Sequence, residues 1–187
     1  MRRRLLTVLL TALLLGAASP AVAAPPASLW PLADLSGQRV QIADKVAAAK
    51  FGTTQPIDDP VREQQILDGV AAKAPGLGLD PAEAVEFFRD QIEANKVVQR
   101  GLHEYWTAHP EQAPTERPDL PTEVRPVIDR LNAGLLDELS ATVATRARPS
   151  CGGKLAAAIV VTDRQLNLDR LHERALRRSL DSACGTR

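Results

Sequence analysis

Asp80, Pro81 and Glu83 together mark the start of a helix: an acid at the N-cap, a proline where the missing N–H costs nothing, and a glutamate at the third position. No further proline occurs until Pro110, and Val85, Phe88, Ile92 and Leu102 recur on one apolar side. The spacing predicts a helix from Pro81 to about Trp106. No stretch of the chain alternates apolar and polar residues as a half-buried strand does, so what surrounds this helix is expected to be helical too.

Proline and glycine divide the remainder. Leu29 to Phe51 reads as the first helix, with Leu32, Leu35, Val40, Ile42 and Val46 toward the core and Gly52 ending it. Asp59 followed by Pro60 starts a second helix that runs to about Lys73. Pro110, Pro114, Pro118 and Pro121 make the next segment an extended crossover between antiparallel helices. A fourth helix begins near Pro121 and Thr122 and carries Val124, Ile128, Leu131, Leu135, Leu136 and Leu139. Beyond the break at Arg148-Pro149-Ser150, two shorter helices are expected over about Lys154–Thr162 and Gln165–Ala183. The fold class is therefore all-α, about six helices in a single-domain bundle. Aromatic residues are 3% of the chain, so the core is expected to be Leu, Ala, Val and Ile.

Residues 1–23 have the form of a signal peptide: Arg2, Arg3 and Arg4 ahead of an apolar run from Leu5 to Leu15, then Ala21-Val22-Ala23 as a small-x-small cleavage site. The run is shorter than the roughly 20 residues a membrane span needs. Residues 24–187 are then one exported domain, periplasmic or secreted, with no membrane association after cleavage. Removing the leader leaves 20 basic against 23 acidic residues, which gives no support for nucleic-acid binding. The chain has two cysteines, Cys151 and Cys184; an even count in an exported protein favours a structural disulfide, worth about 3 to 4 kcal/mol on the chain-entropy model. His103, His109 and His172 show no metal-ligand spacing with them and read as surface or packing residues.

The polar residues that call for chemistry are few. Arg39 and Lys50 lie eleven residues apart, about three helical turns, and so share one face with small apolar residues between them. Arg62 sits in the first turn of the second helix, where a cation opposes the helix dipole and gains nothing locally. Arg125 falls early in the fourth helix. In the third helix Gln91, Asn95 and Gln99 repeat every four residues, an amide stripe segregated from Glu86, Arg89, Asp90, Glu93, Lys96 and Arg100. Guanidinium forks take carboxylates in bidentate fashion and lysine acts as a point charge, so the set suits a small dicarboxylate. Arg146, Arg148, Arg164, Arg170, Arg174, Arg177 and Arg178 read as a solvated face on the closing helices.

These motifs, in this order behind a leader, resemble the all-helical chorismate mutases, and specifically their exported single-domain subclass. The residues that carry the resemblance are Arg39 with Lys50, Pro56-Ile57-Asp58-Asp59 followed by Arg62, Gln91-Ile92 with Asn95 and Gln99 leading to Tyr105-Trp106, Arg125-Pro126 with Ile128-Asp129 and Leu131, and the late cysteine pair. The resemblance implies the Claisen rearrangement of chorismate to prephenate, with no cofactor, metal or covalent intermediate. It implies that Arg39, Arg62 and Arg125 hold carboxylates and that Lys50 contacts a carboxylate and the ether oxygen. Gln99 would face that oxygen from the other side, with Asn95 a polar contact one turn earlier, and Asp59 and Glu63 would lie near the ring hydroxyl. It further implies a homodimer as a common assembly, with each site completed within one chain.

Two alternatives stay open at this level. Asp59 reads equally well as an N-cap and Glu63 as a first-turn acid favoured by the dipole. The whole cationic set also fits a non-catalytic exported helical module that binds a small dicarboxylate or a protein partner. For the cysteines the expected outcome is direct: thiol titration of denatured, unreduced protein finds no free thiol, and two free thiols would refute the pairing.

Overall fold

A computed structural model of the chain describes residues 27–185, and among these there is no β-strand. The leader assigned to residues 1–23 lies outside the described residues. Eight α-helices follow in order: α1 Trp30–Gln41, α2 Ala43–Lys50, α3 Pro60–Lys73, α4 Pro81–Ala108, α5 Arg125–Ala141, α6 Val143–Arg146, α7 Cys151–Leu166 and α8 Arg170–Ser179. None is long and apolar enough to cross a membrane.

The expected first helix is present as two. Ile42 separates α1 from α2 with ψ at −15°, while its N–H still bonds to the Gln38 carbonyl at 3.0 Å, so the run bends without being cut. The boundary expected near residue 164 falls instead at Asn167, which ends α7 in the left-handed conformation. Asp169 then caps α8 through the N–H groups of Leu171 and His172. The fourth helix is preceded by one π-helical turn, Leu120–Val124, closed by the Arg125 N–H on the Leu120 carbonyl. Asp119 caps that turn through Thr122.

The spine is α4, 28 residues long, started as the sequence indicates by Asp80 accepting from the N–H groups of Ala82 and Glu83. It packs against α8, α3, α2 and α1, while α1 turns its other sides to α5 and α7. Two glycines set how closely these helices approach. A Cβ at Gly101 of α4 would lie 2.7 Å from Leu171 of α8, and one at Gly37 of α1 would lie 2.6 Å from Leu166 of α7. The main core joins Leu32, Leu67, Leu135, Leu139, Leu176 and Leu180 to Phe87 and Phe88. Two phenylalanines thus anchor a core expected to be almost wholly aliphatic; both are nearly inaccessible to solvent.

The charged residues of α4 are not all solvated. Asp90 and Lys96 are buried, and Asp90 accepts from Arg178 Nη1 at 2.8 Å and from the Ser182 N–H at 3.0 Å. Arg178 keeps the exposed position expected of it and also helps hold the C-terminal turn onto the spine. Arg146, expected on the same solvated face, is instead half-buried and donates to the carbonyls of Ala183 and Leu139, closing the ends of two segments. A disulfide between Cys151 and Cys184 ties that same turn to the start of α7.

His172 takes the packing role, one of the two expected of it. It is buried on α8, with Nε2 2.7 Å from Asp44 Oδ1 of α2 and Nδ1 2.8 Å from Asp169 Oδ1. The bond to Asp44 raises its pKa to about 9, with Asp169 adding to the effect and burial opposing it. A raised folded-state pKa stabilises the fold in full below the ordinary histidine value, and that contribution is lost as the pH rises through the folded value. The melting temperature is expected to fall between pH 6.5 and about 9. His172→Gln should flatten most of that slope in thermal melts, and an unchanged slope would show that the clamp contributes little.

Candidate active site

A cavity of about 230 Å³ opens where α1, α2, the start of α3, the middle of α4 and the π turn meet. The eight residues expected at a site, Arg39, Lys50, Asp59, Arg62, Glu63, Asn95, Gln99 and Arg125, all line it. Val46, Ile57, Ile66, Ile92, Leu120, Val124 and Ile128 supply its apolar walls. Arg39 and Lys50 reach it from either side of the break at Ile42, so the bend leaves their shared face intact.

Among the described residues none of the four cations on this wall, Arg39, Lys50, Arg62 or Arg125, has a carboxylate within ion-pair distance. Arg39 is 3% exposed and donates Nε to Asn132 Oδ1 at 2.9 Å and Nη1 to the Gln91 carbonyl at 2.6 Å. Burial without a counter-ion lowers its pKa to about 10. Lys50 donates Nζ to the Ile57 carbonyl at 3.3 Å. Burial lowers its pKa, an effect that the nearby charges of Asp59, Glu63 and Asp58 only partly offset and that Arg125 reinforces. Arg62 reaches only Gln65 Oε1, at 3.4 Å, and Arg125 is exposed at the rim just after the π turn. Several unneutralised cations around a half-closed, apolar-walled cavity make a receptor for a small polyanion.

The amide stripe divides. Gln91 is buried away from the cavity, with Nε2 donating to Ser36 Oγ and to the Ser179 carbonyl, so its role is structural. Asn95 and Gln99 face the cavity and pair with each other, Gln99 Nε2 donating to Asn95 Oδ1 at 2.7 Å. Gln99 Oε1 is then buried without a partner. Exchanging the ends of both amides preserves their bond, with Asn95 as donor, and leaves the Gln99 nitrogen in the orphaned position. An unpaired buried amide at a cavity wall is a group waiting for a ligand atom.

Lys96 was not singled out from the sequence, yet it lines the cavity. Its Nζ lies 2.6 Å from Glu93, 3.2 Å from Glu63 and 3.2 Å from Asp58. Burial works to lower its pKa, and the three carboxylates outweigh that and raise it. Arg100 Nη2 adds bonds of 2.7 and 2.9 Å to the two Asp58 oxygens. Together these fasten the Gln55–Asp59 turn, which carries the Ile57 carbonyl that Lys50 uses, onto α4. Both structural readings of the acids apply: Asp59 caps α3 by accepting from the Arg62 N–H at 3.0 Å, and Glu63 is held by Lys96 and by the Asp59 N–H. On the other side Arg117 of the crossover donates to the Phe51 carbonyl, tying the proline-rich segment to the end of α2. An i, i+3 acid partner at Glu93 was the visible signal for Lys96; the contacts to Asp58 and Glu63 have no periodic trace.

The chorismate mutase type II family pattern matches residues 32–100. The chain is 36% identical to a secreted chorismate mutase of Mycolicibacterium smegmatis, over 92% of its own length and 96% of the relative's. It is 33% identical to a secreted chorismate mutase of Mycobacterium tuberculosis, over 82% of its length and 76% of that protein's. In three dimensions it is similar to the crystal structure of a chorismate mutase from Burkholderia phymatum, with a TM-score of 0.80 and 34% identity, covering 84% of this chain and 96% of the other.

Proposed function

The chain belongs to the chorismate mutase family, and from that premise we propose that the cavity around Arg39 and Lys50 is where chorismate rearranges to prephenate. The observation that carries this assignment is the set of four cations without counter-ions among the described residues on one wall, closed in by two buried amides. Chorismate carries two carboxylates joined through an enolpyruvyl ether. Arg39, Arg62 and Arg125 take the carboxylates, and the apolar walls force the flexible ether into its compact, reactive shape. As the C–O bond breaks and the new C–C bond forms, negative charge gathers on the ether oxygen. Lys50 and the Gln99 amide donate to that oxygen, Asn95 holds the Gln99 amide in orientation, and Asp59 and Glu63 border the ring hydroxyl. No proton has to be transferred and no covalent intermediate is needed, so orientation and preorganised electrostatics supply the rate.

The leader, its removal and export follow the same reading: residues 1–23 have the composition of a signal peptide, and the mycobacterial relatives are named as secreted. We assign residues 24–187 as the mature domain. We further infer that each site is completed within one chain, because the eight residues expected at it already meet in one cavity.

Lys50→Ala is expected to reduce turnover by two to three orders of magnitude, because a donor aimed at developing charge is worth roughly 3 to 4 kcal/mol. The far-UV spectrum should be unchanged, since among the described residues the Lys50 side chain makes a single hydrogen bond. A near-normal rate in the loss of chorismate absorbance would mean the chemistry lies elsewhere. Wild-type activity is expected to be flat from mildly acidic to neutral pH, because the Gln99 amide does not titrate there. It should fall on the alkaline side sooner than an ordinary lysine would predict, as burial draws the Lys50 pKa down. Gln99→Glu places a carboxyl at a 3% exposed position, where burial raises its pKa. That variant should favour acid, and a flat profile would remove Gln99 from the ether oxygen.

A further inference from the structure

Arg39 is gripped from behind by two acceptors on different helices, and both are neutral. One is the Gln91 carbonyl of α4, the other the Oδ1 of Asn132 on α5, 93 residues away in sequence. Asn132 does not line the reaction cavity. It faces an adjoining groove between α3 and α5 that also carries Arg62, so it bonds Arg39 from outside the cavity lining. We propose that Asn132 is a positioning residue for the rearrangement, fixing the Arg39 guanidinium without neutralising it; this rests on the reading of Arg39 as a carboxylate-binding group.

The argument turns on what else could stand at position 132. An aspartate occupies nearly the same volume, accepts the same bond from Nε and forms the stronger, charge-assisted version of it. For holding a buried guanidinium in place, a carboxylate would be the better partner. It would also cancel the charge that the cavity presents to its substrate. An asparagine keeps the geometry and leaves the charge, and the Gln91 carbonyl does the same at Nη1. Arg39 is thereby pinned at two nitrogens with its full positive charge available to an anion.

The test separates holding from neutralising by making stability and binding move in opposite directions. Asn132→Asp, Asn132→Ala, Arg39→Ala and the double variant Arg39→Ala with Asn132→Asp are compared by thermal melts and steady-state kinetics on chorismate. Asn132→Asp is expected to melt at or above the wild-type temperature and to raise KM by about tenfold with a smaller change in kcat, the pattern of lost anion binding. Asn132→Ala is expected to lower kcat/KM by about tenfold through a loosened Arg39. In the Arg39→Ala background the Asn132→Asp change should cost nothing further, because its effect passes through the missing guanidinium. An Asn132→Asp protein with KM within about twofold of wild type, or one that melts lower than wild type, overturns the proposal, as does an additive loss in the double variant. If Arg39→Ala itself keeps wild-type activity, the assignment of the cavity falls; a collapse there beside a kinetically silent Asn132→Asp sinks only the role of Asn132.

Discussion

Taking a guanidinium out of water costs several kcal/mol unless its donors are met, and the architecture around Arg39 is arranged to meet them without removing its charge. That requirement reaches far into the fold. The carbonyl that accepts Nη1 belongs to Gln91, whose own side chain is fixed by Ser36 of α1 and by the Ser179 carbonyl of α8. The acceptor for Nε comes from α5. Four helices must therefore be in register before one cation is in place, which explains why a small all-α domain devotes so much buried polar chemistry to a single wall.

The same wall shows two opposite treatments of charge. Lys96 is surrounded by Glu93, Glu63 and Asp58 and serves to lock a turn onto α4. Among the described residues Arg39, Lys50, Arg62 and Arg125 have no such partners. All five line the cavity, but the paired cation fastens the frame and the unpaired ones are left for an anion. Glu63, so near an anion receptor, is held in place by Lys96 and by the Asp59 N–H.

Much of this was legible in the sequence because it is periodic. The eleven-residue spacing of Arg39 and Lys50, the four-residue steps of Asn95 and Gln99, and the acid-proline starts at Asp59 and Asp80 are local patterns that a helix must obey. The end of α7 could also have been read, since Asn167 and Asp169 are an ordinary left-handed stop followed by an N-cap. What could not be read are partnerships formed across long separations. Asp44 with His172, Asp90 with Arg178, Lys96 with Glu63 and Arg39 with Asn132 are each set by how helices meet, and nothing in the spacing of one helix encodes the neighbour's polar atom. Reading the basic residues of the closing helices as one solvated face failed at Arg146 for that reason, while Arg178 stays exposed and still reaches Asp90.

The bridge between Cys151 and Cys184 encloses all of α8, including His172 and the turn that reaches Asp90. Closing that loop removes roughly 3 to 4 kcal/mol of disorder from the unfolded chain, and only an oxidising environment lets it close. Before oxidation, the segment that supplies Leu180 and Ala183 to the core and the Ser182 N–H to Asp90 is held by packing and hydrogen bonds alone. A chain still in a reducing compartment is thus a softer molecule than the same chain after export, easier to keep unfolded for passage through a membrane and firmer once it has crossed. The redox state of the surroundings acts as a ratchet, letting the fold settle fully on one side only.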